Sequence, residues 1–105
     1  YDGLEAPSIS VPLVDFFGSP LGRPVPLVTA LCAIQEGRGF NSWHPMPFEK
    51  RLRFELVNES EGRQILYYQI DYTLDAARDR APSYLHVAFR RENPTQQKRD
   101  FVILE

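Results

Sequence analysis

Four carboxylates, Asp15, Glu55, Asp71 and Glu92, are the candidates for acid–base chemistry in this 105-residue chain. Two carboxylates flanking a glycosidic bond can serve as acid and as nucleophile or base. No spacing here defines such a pair. Glu55 alternates with Arg51 and Arg53, the pattern of a solvated strand face. Asp71 lies in a tyrosine-rich run and is expected to be partly buried. A structural hydrogen bond is the commoner reason for an Asp in that setting. Glu92 follows Arg90 and Arg91, so a local ion pair accounts for it. Asp15 precedes Phe16 and Phe17 at a strand end, where stabilising a turn competes with lining a pocket.

Other chemistries find less support. His44 and His86 lie far apart, with no H-x-x-x-H or E-x-x-H helix to make a metal site. Cys32 is the single cysteine, so no internal disulfide and no cysteine-based zinc site can form. The nucleophile motif G-x-S-x-G, the dinucleotide motif G-x-G-x-x-G and the P-loop are all missing. No cofactor is called for. Trp43 stands on an extended segment beside Asn41, Ser42 and His44. An aromatic face suits the apolar C–H face of a sugar. A core or interface tryptophan is the more frequent alternative.

The elements expected to position these residues are strands. Ile9, Val11 and Leu13 alternate within residues 8–13, and Pro12 suggests an edge or a strand end. A loop with Pro20, Gly22, Pro24 and Pro26 follows. Residues 27–34 are apolar and fit either a strand or one or two helical turns, and Glu36-Gly37-Arg38-Gly39 breaks them. Residues 40–48 read as extended, because the residues before Pro45 and Pro47 are pushed away from helix. Residues 51–57 give the clearest strand pattern, with Leu52, Phe54 and Leu56 inward and Arg51, Arg53 and Glu55 outward. Asn58 to Gly62 reads as a turn. Residues 64–74, rich in Tyr and Ile on both faces, predict a long central strand. Residues 75–82 read as a polar connection that could hold one helical turn. Two further strands are predicted, over 84–91 and from 100 onward. This pattern predicts an all-β fold, an antiparallel jelly roll or β-sandwich, with residues 1–105 as one segment.

The composition fits a globular domain: 43% hydrophobic and 25% charged, with seven Phe, five Tyr and one Trp. A net charge of −2 argues against a nucleic-acid partner, which requires surplus Lys and Arg to neutralise phosphates. No apolar run approaches the roughly 20 residues that span a bilayer, so no membrane partner is expected. The compartment is left open. The chain opens at Tyr1 and stops within the apolar run that includes Phe101, Val102 and Ile103, so it reads as part of a longer protein.

Six stretches in order carry a resemblance. They are Asp2-Gly3 with Pro7-Ser8 and Val11-Pro12-Leu13; Asp15-Phe16-Phe17-Gly18; Phe40-Asn41-Ser42-Trp43-His44-Pro45-Met46-Pro47-Phe48; Val57-Asn58-Glu59-Ser60; Leu66-Tyr67-Tyr68-Gln69-Ile70-Asp71-Tyr72; and Arg90-Arg91-Glu92-Asn93-Pro94-Thr95. Together they resemble glycoside hydrolase family 172, first catalogued as domain of unknown function family 2961. The resemblance implies a double jelly-roll subunit, assembled as a homo-trimer or hexamer. It also implies retaining chemistry on fructofuranose or arabinofuranose linkages. The family's two catalytic glutamates belong to W-W-G-E-G and G-T-G-T-E-D segments, and neither string occurs in this sequence. No catalytic residue is therefore carried over. The segment corresponds to the first jelly roll, incomplete, and Asp15, Asn41, Ser42 and Trp43 are the residues expected to line a substrate pocket.

Two readings follow: the N-terminal part of a furanosidase-like enzyme, or a non-catalytic β-sandwich for carbohydrate binding or assembly. Jelly rolls host many functions, so fold alone does not choose between them. Without the two glutamate motifs, the isolated chain is expected to leave aryl arabinofuranosides and difructose anhydrides intact. Turnover that persists through repurification and disappears when one carboxylate of this chain is mutated would contradict that expectation.

Overall fold

A computed structural model describes residues 1–20, 22–74 and 83–103. Its elements are β1 (Ile9–Ser10), α1 (Leu13–Phe16), β2 (Leu27–Val28), β3 (Cys32–Gln35), β4 (Gly39–Ser42) and β5 (Val87–Ala88). The chain is essentially all-β, with a single helical turn among the described residues. Two sheets form: β1 with β5, and an antiparallel sheet in the order β2-β3-β4. This is the architecture of part of a β-sandwich.

The three-stranded sheet follows from two tight turns. Thr29 closes the first: its N–H donates to the Cys32 carbonyl (2.8 Å), and its hydroxyl accepts from Cys32 N–H (2.9 Å) and Leu31 N–H (3.2 Å). The apolar run 27–34, open to two readings in the sequence, is thus two strands folded back on this threonine. The second turn is the expected break. Arg38 N–H donates to the Gln35 carbonyl, and Glu36 and Gly37 both take left-handed φ, 52° and 65°. That pair of angles suits the twist of a hairpin, and glycine adopts it freely.

Strand β3 lies between its two neighbours and supplies the core: Cys32, Ala33 and Ile34 are all buried, Ile34 to 1% exposure. The register aligns Leu27, Ile34 and Phe40 across the sheet, with Cys32 opposite Ser42. Above this face sits α1. Pro12 cannot donate to a ladder, so β1 stops before it, and Phe16 N–H instead donates to the Pro12 carbonyl. The turn presents Phe16 and Phe17, whose rings meet edge to face at 5.2 Å, and Phe17 then reaches Phe40 at 5.3 Å. Gly18 follows at φ 82°, where a Cβ would stand 3.2 Å from the Leu27 side chain. Fully buried Ser19 ties up the proline-rich loop: its hydroxyl donates to the Arg23 carbonyl (2.9 Å) and accepts from Val25 N–H (3.1 Å).

Several expected strands take another form. Residues 8–13 keep only Ile9–Ser10 as strand, and Leu13 enters α1. β1 pairs with β5 in parallel, not antiparallel. Residues 51–57 lie in no ladder among the described residues. The Arg53–Glu55 ion pair shows that these side chains share a side, as alternation requires. Leu52 is half-buried, yet Phe54 is 53% and Leu56 55% exposed, so neither belongs to the core. Residues 64–74 also pair with nothing among the described residues, and Tyr67 is 91% exposed. Alternation selects a face, but burial requires a sheet or helix for that face to cover. The strand expected over 84–91 shrinks to Val87–Ala88, and residues 101–103 are not strand. The connection 75–82 and the last residues of the final run lie outside the described residues. The expected turn at 58–62 is present: Asn58 accepts from Ser60 N–H (3.1 Å) and donates to the Gly62 carbonyl (2.9 Å).

The N-terminus is fastened by Asp2. Its carboxylate accepts from the backbone N–H groups of Lys50 (2.6 Å), Arg51 (2.9 Å) and Glu49 (3.1 Å), while Asp2 N–H donates to the Arg51 carbonyl (2.8 Å). The bonds from Arg51, Lys50 and Glu49 hold the Asp2 carboxyl below the usual aspartate range.

Two predictions follow from this core and this tether. Ile34→Ala should cost about 2–5 kcal/mol in chemical denaturation, and Phe54→Ala about 1 kcal/mol or less. Equal losses would place Phe54 in the core after all. A carboxyl with a depressed folded-state pKa contributes its stability above its unfolded value and loses it as pH falls through the folded one. The melting temperature should therefore drop on the acid side, and Asp2→Asn should flatten that limb while lowering the neutral-pH plateau. An unchanged acid limb in the variant would assign the slope to another group.

Candidate functional site

Strand β4 and its continuation sort their side chains by alternation. Phe40, Ser42 and His44 are half-buried, whereas Asn41 and Trp43 are exposed, Trp43 to 58%. The first set faces the core beneath α1. Ser42 Oγ lies 2.8 Å from His44 Nδ1, and Cys32 Sγ lies 3.8 Å from the same nitrogen. Phe16 covers the imidazole at 5.9 Å. Burial pushes the Cys32 thiol up, against a smaller opposing effect of Ser42. A thiol kept protonated is a poor nucleophile. The cysteine–serine–histidine group ties β3 to β4 and to the residue that follows Trp43.

The opposite side of the sheet is exposed at β2 and β4. Val28, Ala33 and Asn41 form one cross-strand row, with the small, buried Ala33 as its floor and exposed Val28 and Asn41 on either side. Trp43 N–H donates to the Leu31 carbonyl at 2.8 Å, which extends the β3–β4 contact one residue past the strand. The result is a shallow surface with an indole, an amide two residues away and aliphatic edges from Val28 and Leu31. Such a surface can stack on an apolar face and hydrogen-bond at its rim.

The four residues expected to line a pocket are thus divided. Asn41 and Trp43 share the open face. Ser42 points to the other side, against His44. Asp15 is half-buried on α1, and its backbone carbonyl accepts from Gly18 N–H at 2.9 Å. Sequence reasoning passed over His44 as a structural anchor. The available signal was its even spacing from Phe40 and Ser42.

The remaining carboxylates form no acid–base pair among the described residues. Glu55 pairs with Arg53 on the exposed run. Asp71, expected to be partly buried, is exposed and accepts from the Gln69 amide at 3.1 Å. Among the described residues, the run that carries it pairs with no other element. Glu92 borders an open hollow of about 320 Å³ with Arg90, Arg91, Thr95 and Phe101. Arg90 donates there to the Val102 carbonyl at 3.2 Å. Among the described residues no three His, Cys, Asp or Glu side chains converge as metal ligands. No described helix is long and apolar enough to cross a membrane.

Residues 1–69 match the family described as GH172 domain-like. The chain belongs to that family. The matched span contains every element of the three-stranded sheet, α1, and both Asn41 and Trp43. It makes the chain a relative of glycoside hydrolase family 172, in accord with the resemblance carried by its motifs. No curated protein and no solved structure matches the chain.

Proposed function

We propose that this chain is the N-terminal jelly-roll portion of a furanosidase-like glycoside hydrolase, acting on fructofuranose or arabinofuranose linkages. Within it, the open face bearing Asn41 and Trp43 contacts the carbohydrate. The observation that carries this reading is an exposed tryptophan beside an exposed amide, on β4 and its continuation, within the segment that matches the GH172 domain-like family. Sugars are bound by aromatic stacking together with hydrogen bonds to their hydroxyls, and this face offers both. Ser42 and Asp15 contribute from the opposite side of the sheet, by holding β4 and α1 in place. The catalytic glutamates come from outside residues 1–105. Subunits assemble as a homo-trimer or hexamer, for which the exposed apolar side chains of residues 64–74 supply contact area.

A second reading, a non-catalytic β-sandwich for carbohydrate binding or assembly, is favoured by one observation. Glu55 and Asp71 are engaged by Arg53 and Gln69 and face solvent rather than each other. The enzyme reading and the carbohydrate-binding form of the second both use the open face for sugar, and they diverge on whether the parent protein hydrolyses it; an assembly module would not bind sugar there.

Trp43 is the only tryptophan, so its fluorescence reports this face alone. Titration with arabinofuranose or fructofuranose oligosaccharides should quench or shift its emission saturably, and glucopyranose oligomers should bind less well. Trp43→Ala, followed by calorimetry, should weaken binding about tenfold or more, given stacking worth on the order of 1–3 kcal/mol. Equal affinity in the variant would remove Trp43 from the site.

A further inference from the structure

We propose that His44 is a positioning residue for Trp43: with Ser42 it forms an inward clamp that fixes the indole on the open face. The proposal rests on the reading of Trp43 as a carbohydrate contact, and it deepens that reading.

Strand β4 ends at Ser42. Beyond it the backbone bond from Trp43 N–H to the Leu31 carbonyl continues the contact with the segment that leads into β3. Pro45 and Pro47 then lack N–H groups, so the ladder cannot be extended at those positions. Trp43 therefore stands where the sheet frays and where backbone pairing alone holds it weakly. Side chains supply the missing constraint. Ser42 Oγ and His44 Nδ1 meet at 2.8 Å across one residue. Ser42 closes strand β4 and Trp43 N–H still reaches the Leu31 carbonyl, so the backbone here keeps its strand course; on such a backbone the side chains at i and i+2 share a side and the middle one points to the other. That middle residue is Trp43. The clamp is itself held at three points: Phe16 covers the imidazole at 5.9 Å, Cys32 Sγ approaches Nδ1 at 3.8 Å, and Pro45 restricts His44 to extended geometry.

Ser42 carries a hydroxyl that can donate or accept, and Nδ1 is the ring nitrogen that meets it. An asparagine at position 44 can offer an acceptor near the place of Nδ1. A phenylalanine keeps the ring against Phe16 and offers none.

Trp43 emission allows the orientation to be read without any sugar. In time-resolved anisotropy, wild-type Trp43 should show little fast local motion. His44→Phe should add a fast component, and His44→Asn should suppress it again. Binding of an arabinofuranose oligosaccharide should weaken about two- to tenfold in His44→Phe, the cost of re-ordering one released side chain, and should recover in His44→Asn. Ser42→Ala removes the other half of the clamp with little change in volume. It should reproduce the fast component, and it serves in place of His44→Phe if that variant does not fold. Restricted Trp43 motion in both the His44→Phe and Ser42→Ala proteins would overturn the proposal. A gain of motion with no sugar binding even in wild type would uphold the clamp and remove the carbohydrate reading instead.

Discussion

Burial of the central strand β3 is the constraint on which the other features depend. A four-residue strand cannot hide both faces by itself. It needs a neighbour on each side for its hydrogen bonds and a cover for its apolar side chains. The neighbours are β2 and β4, delivered by the Thr29 turn and by the left-handed pair Glu36-Gly37. Part of the cover is α1 with its two phenylalanines. Each of these pieces is short and would not persist alone. Together they bury Cys32, Ala33 and Ile34, and that burial compensates for the order imposed on two turns and a proline-rich loop.

The functional proposal derives from the same constraint. Because one side of the β2-β3-β4 sheet is closed by α1, the residues of β4 that point there are committed to packing. Those that point away are free for contact. Ala33 lies on this outward side too, buried between exposed Val28 and Asn41. Trp43 lies at the end of this surface. The Ser42–His44 pair keeps it there through a bond on the reverse side of the strand. Core and contact face are thus two sides of one sheet only a few residues wide.

Asp2 shows a different economy of means. One carboxylate satisfies three consecutive backbone donors at 49–51 and so joins the start of the chain to the segment that follows the Trp43 region. Tyr1 then lies near Tyr84 and His86, beside the small parallel sheet of β1 and β5. No local pattern announces such a link, since the residues it joins are nearly fifty positions apart.

Turn chemistry and class were legible in the sequence because they depend on neighbouring residues. Glu36-Gly37-Arg38-Gly39 and Asn58 to Gly62 form turns as their composition requires, and Pro12 ends a strand because it has no N–H to donate. The all-β class followed from many short apolar runs with little helical period, and the family from six ordered motifs, of which the match over residues 1–69 spans the first four and part of the fifth. Tertiary structure decided which of those runs became core. The strongest alternation, Leu52, Phe54 and Leu56, stays largely exposed, while the ambiguous run around Ile34 becomes the buried centre. Alternation records only which side chains share a face; burial depends on what lies against that face, and partners distant in sequence provide it. The same reason separates Ser42 from Asn41 and Trp43. Adjacent residues on a strand belong to opposite sides of the sheet, and only the packing of α1 determined which side became the interior.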